Sequence, residues 1–279
     1  MNRVEALIEA MPYISKFSDK IVVIKYGGAA MANEAMQRSV MADIAMLKQC
    51  GIKPIIVHGG GRAITNNLEL FGVESEFVDG LRRTDEAAMG VVQMTLAGKI
   101  AVDLVKLIGE AGARAIGISG VDSECIKAEP LGEEYGQVGK VAAIDTEMIS
   151  MLIDNDYVPV ISPIGVHGGQ VYNINADTVA LGIASSLKAE KLVFLSDVEG
   201  VLDKDGGRIS ELKLSDVPVL VRDGVIEGAM IPKIQACVEA MRKGVKSVHI
   251  INGMTPHSLI IEMLTNDGIG TVIRRWEIC

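Results

Sequence analysis

The sequence predicts an α/β protein whose mainly parallel sheet is covered by helices on both faces. From residue 21 onward, short β-branched runs alternate with longer helical segments. The clearest strands carry apolar residues on both faces, which is typical of strands buried within a parallel sheet. They are residues 21–24, 55–57, 115–118, 158–161, 192–195 and 248–251. Helical segments such as 33–49 and 231–243, each closed by a glycine, are suited to the crossovers that parallel strands need.

Composition limits the class of the protein and its partners. Of 279 residues, 49% are apolar and 4% aromatic, so the core must be mainly aliphatic. The net charge of −9 argues against nucleic-acid binding, because phosphates would be repelled. Nothing reaches the ~18 apolar residues that span a membrane, and Glu5 and Glu9 interrupt any signal-peptide core. We expect a soluble, cytoplasmic protein with no nucleic-acid or membrane partner.

The cysteines and histidines predict no protein metal site. The four cysteines have no C-x-x-C spacing, and the four histidines form no H-E-x-x-H motif. A disulfide framework is equally disfavoured, which fits a reducing cytoplasm.

An amphipathic helix is predicted before the first strand. Val4, Leu7, Ile8 and Met11 follow helical spacing, and Pro12 is expected to stop the helix. This helix either packs on its own domain or contacts another subunit.

Glycine-rich loops follow several predicted strands. They are residues 25–28, 58–61, 119–120 and 196–200. Ligands of parallel α/β sheets bind beyond the carboxyl ends of the strands, where free N–H groups can hold phosphate. The loops match neither the dinucleotide fingerprint nor the P-loop. A purely steric need for glycine in tight turns explains each loop equally well.

Two isolated lysines accompany these loops. Lys25 closes an apolar strand, and Lys233 opens a helix beside Pro232. Each lysine could simply extend to solvent. The ordered motifs IKYGG, HGGG, GLRRTD, YNINAD, LSDVEGV and GAMIPK, however, span nearly the whole chain. Over residues 20 to 275 this pattern closely resembles the N-acetylglutamate kinases within the amino-acid kinase family.

The resemblance implies an architecture and a reaction. The fold would be a three-layer α/β/α sandwich around a mainly parallel open sheet, the amino-acid kinase fold. Residues 1–19 would form a helix for oligomerisation and regulation, 20–175 the amino-acid substrate lobe, and 176–279 the ATP-binding lobe. The reaction would be ATP-dependent phosphorylation of the γ-carboxylate of N-acetyl-L-glutamate, in arginine biosynthesis. That carboxylate is already ionised at neutral pH, so no general base is required.

The same resemblance implies roles for individual residues. Lys25 and Lys233 would contact the transferring phosphoryl group, and Gly28 and Gly60 would donate backbone hydrogen bonds to it. Asp177 would hold both lysines in place, although an acid at a helix N-terminus is its simpler interpretation. ATP, with Mg²⁺ held through its phosphates, would meet Gly27, Gly28, Ser196, Asp197, Gly200 and Lys233.

The substrate would lie against Gly60, Gly61, Arg82 and Asn173. A guanidinium can grip a carboxylate with two hydrogen bonds, which suits Arg82. Arg83 stands where valine is more usual in the family, so the alternative is that the two arginines exchange roles.

Both ends of the chain resemble the arginine-inhibited branch of the family. That branch forms hexamers, as trimers of dimers, through interlaced N-terminal helices, and L-arginine would bind beside this helix. Contributing residues would be Lys191, His257, Glu262 and Gly268. The alternatives are a kinase acting on carbamate, aspartate or glutamate, and a non-catalytic arginine sensor. The GLRRTD and YNINAD motifs argue against the former, and retention of Lys25, Lys233 and Asp177 against the latter.

Overall fold

A computed structural model describes residues 3–228 and 230–274. The first two residues of the predicted N-terminal segment, Ala229 of the GAMIPK motif and the end of the predicted ATP-binding lobe (275–279, including Cys279) lie outside these ranges. None of the helices described in this structure is long and apolar enough to cross a membrane.

The strands are Ile21–Tyr26 (β1), Lys53–His58 (β2), Phe77–Val78 (β3), Leu81–Arg82 (β4), Ala115–Ser119 (β5), Ile126–Pro130 (β6), Val138–Ile144 (β7), Val158–Ser162 (β8), Ile164–His167 (β9), Gln170–Ile174 (β10), Lys191–Ser196 (β11), Val201–Leu202 (β12), Arg208–Ile209 (β13), Glu211–Lys213 (β14), Ser247–Asn252 (β15) and Thr271–Arg274 (β16). The helices are Arg3–Phe17 (α1), Glu34–Gln49 (α2), Gly61–Leu70 (α3), Glu86–Gln93 (α4), Ala101–Glu110 (α5), Glu147–Asp154 (α6), Ala176–Ser186 (α7), Val217–Arg222 (α8), Met230–Arg242 (α9) and Ser258–Leu264 (α10). A π-helical segment, Met94–Ile100, joins α4 to α5.

One eight-stranded sheet runs through the molecule in the order β14-β16-β15-β11-β1-β2-β8-β5. Neighbouring strands are parallel except β15 and β16, which pair antiparallel. All six strands predicted from apolar runs lie in this sheet. The predicted mainly parallel open sheet is therefore confirmed.

Alternate side chains of the central strands enter two separate cores. Val22 and Ile24 of β1 pack in one core with α2, α3, α4, α5 and α10. Val23 packs in the other, with α6, α7, α8 and α9. Because successive residues of a strand point to opposite faces, this alternation places a helical layer on each face of the sheet. The three-layer architecture is as predicted.

The predicted lobe boundary at residues 175 and 176 falls between the two halves of this sheet. Strands β1, β2, β8 and β5 come from the first lobe, and β11, β15, β16 and β14 from the second. Parallel pairing of β1 with β11 joins the halves. One continuous sheet thus includes both lobes, and their separate roles stay a prediction.

A small closed sheet, β10-β7-β6-β9, lies beside the first half and was not identified from the sequence. Its strand β10 carries Asn173 and leads directly into α7. This sheet therefore positions the YNINAD motif.

Helix α1 corrects one expectation, because it continues through Pro12 to Phe17. Proline removes one backbone hydrogen bond from a helix interior. The last turns nevertheless pack Tyr13 and Ile14 against the core, and Phe17 is buried. We attribute the continued helix to this burial, which offsets the lost bond.

Candidate active site

Most of the predicted catalytic and substrate residues line one cleft of about 420 Å³. The cleft opens where β1, β2 and β10 end, as expected for a parallel sheet. The residues that it brings together are Lys25, Gly60, Gly61, Arg82, Asn173 and Asp177. Gly28 lines an adjoining cavity of about 850 Å³ that shares Gly60 and Gly61 with the cleft.

An ion pair crosses the floor of this cleft. Lys25 Nζ lies 3.0 Å from Asp177 Oδ1, and both side chains are partly buried. Asp177 stands in the first turn of α7, whose cap residue Asn175 accepts a hydrogen bond from the Asp177 N–H at 2.8 Å. The carboxylate therefore both neutralises a lysine and lies at the positive end of a helix, so the two interpretations of Asp177 are compatible.

Lys233 has a different partner. Its ammonium donates a hydrogen bond of 3.1 Å to Ser196 Oγ and lies 5.8 Å from the centre of the Phe194 ring. The structure thus brings one of the two lysines onto Asp177 and anchors the other on the loop after β11. Contact of Asp177 with both lysines stays a prediction for the ligand-bound protein.

The glycine loops pack tightly against their neighbours. A Cβ on Gly60 would lie 2.6 Å from Leu96 Cδ2 and 2.7 Å from Ile100 Cδ1. A Cβ on Gly27 would lie 3.0 Å from Lys25 Nζ. Helix α3 begins at Gly61 with no side chain capping its N-terminus. Close packing therefore explains Gly60 and Gly27, whereas a Cβ on Gly28 or Gly61 would meet no atom within 4 Å. The uncapped helix end also offers N–H groups to an anion.

Arg82 faces the cleft from β4 and is mostly buried. Its guanidinium donates hydrogen bonds to Thr65 Oγ1 at 2.6 Å and to Gly61 O at 3.3 Å, and it also donates to Ser75. It lies 4.7 Å from the centre of the Phe77 ring. Burial lowers the pKa of Arg82 without removing its charge.

Arg83, by contrast, is exposed and lies 3.7 Å from Glu76. The register of β4 thus directs Arg82, and not Arg83, into the cleft.

Asn173, on β10, lies opposite Arg82 in the cleft. Its side-chain amide donates to the buried Thr84 Oγ1 at 3.3 Å, and its N–H donates to Gln137 O at 2.9 Å. The partners Ser75 and Thr65 were not found from the sequence, because single hydroxyl residues carry no pattern of their own. Thr84 lies within the GLRRTD motif but was given no role.

The residues predicted to meet the nucleotide form a second group after β11. Ser196 Oγ donates to Asp197 Oδ1 at 3.2 Å, beside Lys233. Gly200 has φ of +138°, and a Cβ there would lie 2.4 Å from Thr271 Oγ1. Only glycine fits this turn without strain. Within the described residues, no cluster of three or more His, Cys, Asp or Glu side chains could hold a metal ion.

A separate cavity of about 800 Å³ lies between α1 and the outer half of the sheet. Its charged and aromatic lining includes Lys16, Phe17, Glu190, Lys191, His249 and Arg274. Lys191 Nζ lies 4.4 Å from the centre of the Phe17 ring. Burial lowers the pKa of Lys191 to about 8.

Glu262 is connected to this cavity by His249, which lines it. Nδ1 of His249 lies 2.6 Å from the Glu262 carboxylate. The carboxylate also accepts the N–H groups of Ile269 and Gly270, beside Gly268. His257 lies elsewhere, 2.7 Å from Asp43. The structure thus brings together Lys191, Glu262 and the Gly268 loop, and adds His249, which the sequence analysis missed.

Comparison with known proteins identifies similar sequences and structures. An acetylglutamate kinase from Campylobacter hominis is 48% identical over 272 residues, covering 97% of this chain and 96% of that protein. An acetylglutamate kinase from Clostridium kluyveri is also 48% identical, over 273 residues and 96% of both chains.

A solved structure of N-acetylglutamate synthase from Neisseria gonorrhoeae, complexed with coenzyme A and N-acetyl-glutamate, has a TM-score of 0.88 at 26% identity. It matches all of this chain, which spans 65% of the synthase chain. A second structure of this synthase, with coenzyme A and L-arginine, has a TM-score of 0.82 at 27% identity, with coverage of 98% and 66%. The family model of the amino acid kinases matches residues 20–252. The chain therefore belongs to the amino acid kinase family.

Proposed function

We propose that the protein transfers the γ-phosphoryl group of ATP to the γ-carboxylate of N-acetyl-L-glutamate, forming N-acetylglutamyl 5-phosphate and ADP in arginine biosynthesis. The observation that carries the proposal is the convergence of Arg82, Asn173 and the Lys25–Asp177 pair in one cleft. The 48% identity to two acetylglutamate kinases over nearly their full length supports it.

The cleft suits a reaction between two anions. The attacking carboxylate has an ordinary pKa of about 4 and needs no base. One of its oxygens forms a bond to the γ-phosphorus as the bond to the ADP oxygen breaks. The obstacle is charge repulsion, which cations and N–H donors around the transferring group relieve. Lys25 would approach from the substrate side and Lys233 from the nucleotide side, with Gly28 and Gly60 donating N–H groups.

Substrate selection would rest on Arg82 and Asn173. Arg82 is held by hydroxyl and carbonyl groups that leave its charge unpaired, so it can accept a carboxylate. Asn173 would bind the other end of the molecule, near the α-carboxylate or the acetamido group. Free glutamate lacks the acetyl group and carries an ammonium group at the end of the molecule that Asn173 is proposed to bind.

The nucleotide would lie on the second half of the sheet, over Ser196, Asp197 and Gly200, with Gly27 and Gly28 near its terminal phosphates. This division makes residues 20–175 the substrate lobe and 176–279 the ATP lobe. Mg²⁺ would be held through ATP phosphates and water, its usual coordination in such sites, and would neutralise phosphate charge. We propose a cytoplasmic location, where ATP for such biosynthesis is available.

Regulation by L-arginine is a second part of the proposal. The cavity beside α1 offers the carboxylate of Glu190 for a guanidinium, and the cations Lys191 and Arg274 for a carboxylate. Glu262 lies behind the cavity, where it holds His249. The related synthase with bound arginine supports it. The exposed stripe of Leu7, Ile8 and Met11 on α1 suits contact with another copy of the chain, as in a hexameric trimer of dimers.

An acceptor panel tests the activity. Purified protein with Mg-ATP and hydroxylamine should yield acyl hydroxamate from N-acetyl-L-glutamate, and much less from glutamate, aspartate or carbamate. Equal or greater product from another acceptor would replace the proposed substrate. No product from any acceptor would reject the kinase activity.

A further inference from the structure

His58, at the end of β2, is a fully buried residue to which no role has been given so far. Its Nδ1 lies 3.0 Å from the carbonyl oxygen of Gly59. Its Nε2 lies 2.9 Å from Oγ of Ser162, which is fully buried at the end of β8. The imidazole therefore bridges two neighbouring strands directly beneath the glycine loop.

The two contacts define the state of the ring. Burial lowers the pKa of His58 to about 4, so the ring is neutral near pH 7. A carbonyl oxygen only accepts hydrogen bonds, so Nδ1 must carry the proton. Nε2 is then the acceptor, and the Ser162 hydroxyl donates to it. The Gly59 carbonyl thus selects the tautomer, and Ser162 satisfies the remaining ring nitrogen.

This bond fixes the direction of the next N–H group. In a trans peptide the C=O and the following N–H point in opposite directions, and none of the described peptide bonds is cis. The Gly59 oxygen points toward the buried imidazole, so the Gly60 N–H points away from it, on the cleft side.

Other groups of the loop are already engaged. The Gly59 N–H donates to Tyr26 O at 2.8 Å, and Gly60 O accepts from the Ile64 N–H at 2.8 Å. No residue in the described ranges accepts a hydrogen bond from the Gly60 N–H. That group remains available for a ligand oxygen.

We propose that His58, held by Ser162, is a positioning residue that aims the Gly60 N–H at the transferring phosphoryl group. The proposal rests on the proposed kinase function, in which Gly60 is one of the donors to that group. A donor that acts mainly on the transition state affects kcat more than KM.

Two substitutions separate this role from simple filling of the core. The amide nitrogen of asparagine can stand near the position of Nδ1, so His58→Asn can keep a donor to Gly59. The longer glutamine places its amide near Nε2, so His58→Gln keeps a partner for Ser162 and loses the donor to Gly59. Ser258→Ala, at another fully buried serine distant in sequence from the loop, is the control.

We expect His58→Gln to lower kcat by about 10- to 100-fold, with KM for both substrates within about twofold of wild type. His58→Asn should recover most of this loss, and Ser258→Ala should match wild type. Equal kcat for the Gln and Asn variants would overturn the proposal.

Nitrogen-15 NMR of the imidazole in the unliganded wild-type protein gives a second measurement, which does not depend on activity or on folding of the variants. We expect a neutral ring protonated at Nδ1 that does not titrate between about pH 5.5 and 8. A ring protonated at Nε2, or one that titrates in this range, would overturn the proposal. A wild-type protein inactive on every acceptor would instead reject the proposed function, whatever the tautomer.

Discussion

Lys25 Nζ lies 3.0 Å from Asp177 Oδ1, and this ion pair joins the end of β1 to the first turn of α7. Lys25 belongs to the half of the sheet formed by residues before 175, and it lines the cleft. Asp177 begins the segment that leads to the other half. The pair therefore holds a cation at the junction where phosphoryl transfer would take place.

Replacing Asp177 with asparagine should lower kcat by about 10- to 100-fold, because it removes the charge that orients Lys25. The loss of stability should stay below about 1 kcal/mol, since the pair is partly exposed. Steady-state kinetics and urea unfolding measure the two effects. Glu129→Gln is the matched control, because Glu129 forms a 3.0 Å pair with Lys140 outside the cleft. A kcat within about twofold of wild type would contradict the assigned role.

Replacing Arg82 with methionine should lower kcat/KM for N-acetylglutamate by about 100-fold, through loss of a paired guanidinium–carboxylate contact. Lysine should restore little of the loss, because it lacks the planar pair of donors. KM for ATP should change little. Arg83→Met should behave like wild type, since Arg83 is exposed. The reverse result would show that the two arginines exchange roles.

Replacing Gly200 with alanine should destabilise the protein and raise KM for ATP. The φ of +138° and the 2.4 Å approach to Thr271 Oγ1 leave no room for a Cβ. Gly206→Ala is the control, because Gly206 also has a positive φ, +82°, but no atom within 4 Å of a Cβ. We expect Gly200→Ala to lower the free energy of unfolding in urea by about 2 kcal/mol more than Gly206→Ala does. Equal losses of unfolding free energy in the two variants would mean that the protein accommodates a Cβ beside Thr271 without strain.

Arginine binding should weaken as pH rises from about 7 to 9. Burial lowers the pKa of Lys191 to about 8, so its ammonium, a proposed partner of the arginine carboxylate, is lost in this range. Calorimetry should show affinity falling by up to about tenfold. The Lys191→Met variant should bind arginine weakly at both pH values. The Lys243→Met variant, changed outside the cavity, should show the same pH dependence of arginine binding as wild type.

The lowered pKa of Lys191 also determines how its contribution to folding stability changes with pH. Lys191 releases its proton at lower pH when folded than when unfolded, so its contribution should increase stability from about pH 8 to 10.5. Weaker arginine binding in this range would therefore not reflect unfolding caused by this lysine. Affinity independent of pH would contradict contact of Lys191 with the carboxylate.

Replacing Leu7 and Met11 together with glutamate should reduce the size of the assembly while kinase activity is retained. Both side chains are exposed on α1, at 68% and 60%. Deleting residues 1–17 is a poorer test, because it removes the buried Phe17. Light scattering gives the mass, and Met151→Glu, at an exposed position on α6, is the control. An unchanged mass would exclude this stripe from subunit contact.

Apolar runs were enough to predict six of the eight strands of the central sheet, because strands buried on both faces leave a clear signal. The other two, β14 and β16, were missed. Strands β6, β7, β9 and β10 were missed, since they are partly exposed and lack such runs. The end of α1 was predicted too early. A local signal at Pro12 was outweighed by burial of Phe17, a contact that depends on the whole fold.

The candidate site was likewise predicted only in part. The cleft residues were named from motifs at strand ends, where the topology brings them together. Partners such as Ser162 for His58, or Ser196 for Lys233, are distant in sequence and follow no spacing rule. His249 was overlooked because a single histidine in an apolar strand gives no sign of Glu262 beside it.

The central claim is transfer to the γ-carboxylate of N-acetyl-L-glutamate. Mass spectrometry of the hydroxamate trapped from N-acetyl-L-glutamate, Mg-ATP and the protein distinguishes the two carboxyl groups directly. We predict the γ-hydroxamate, formed in step with ADP and absent without ATP. The α-hydroxamate, or ADP release without any hydroxamate, would contradict the claim.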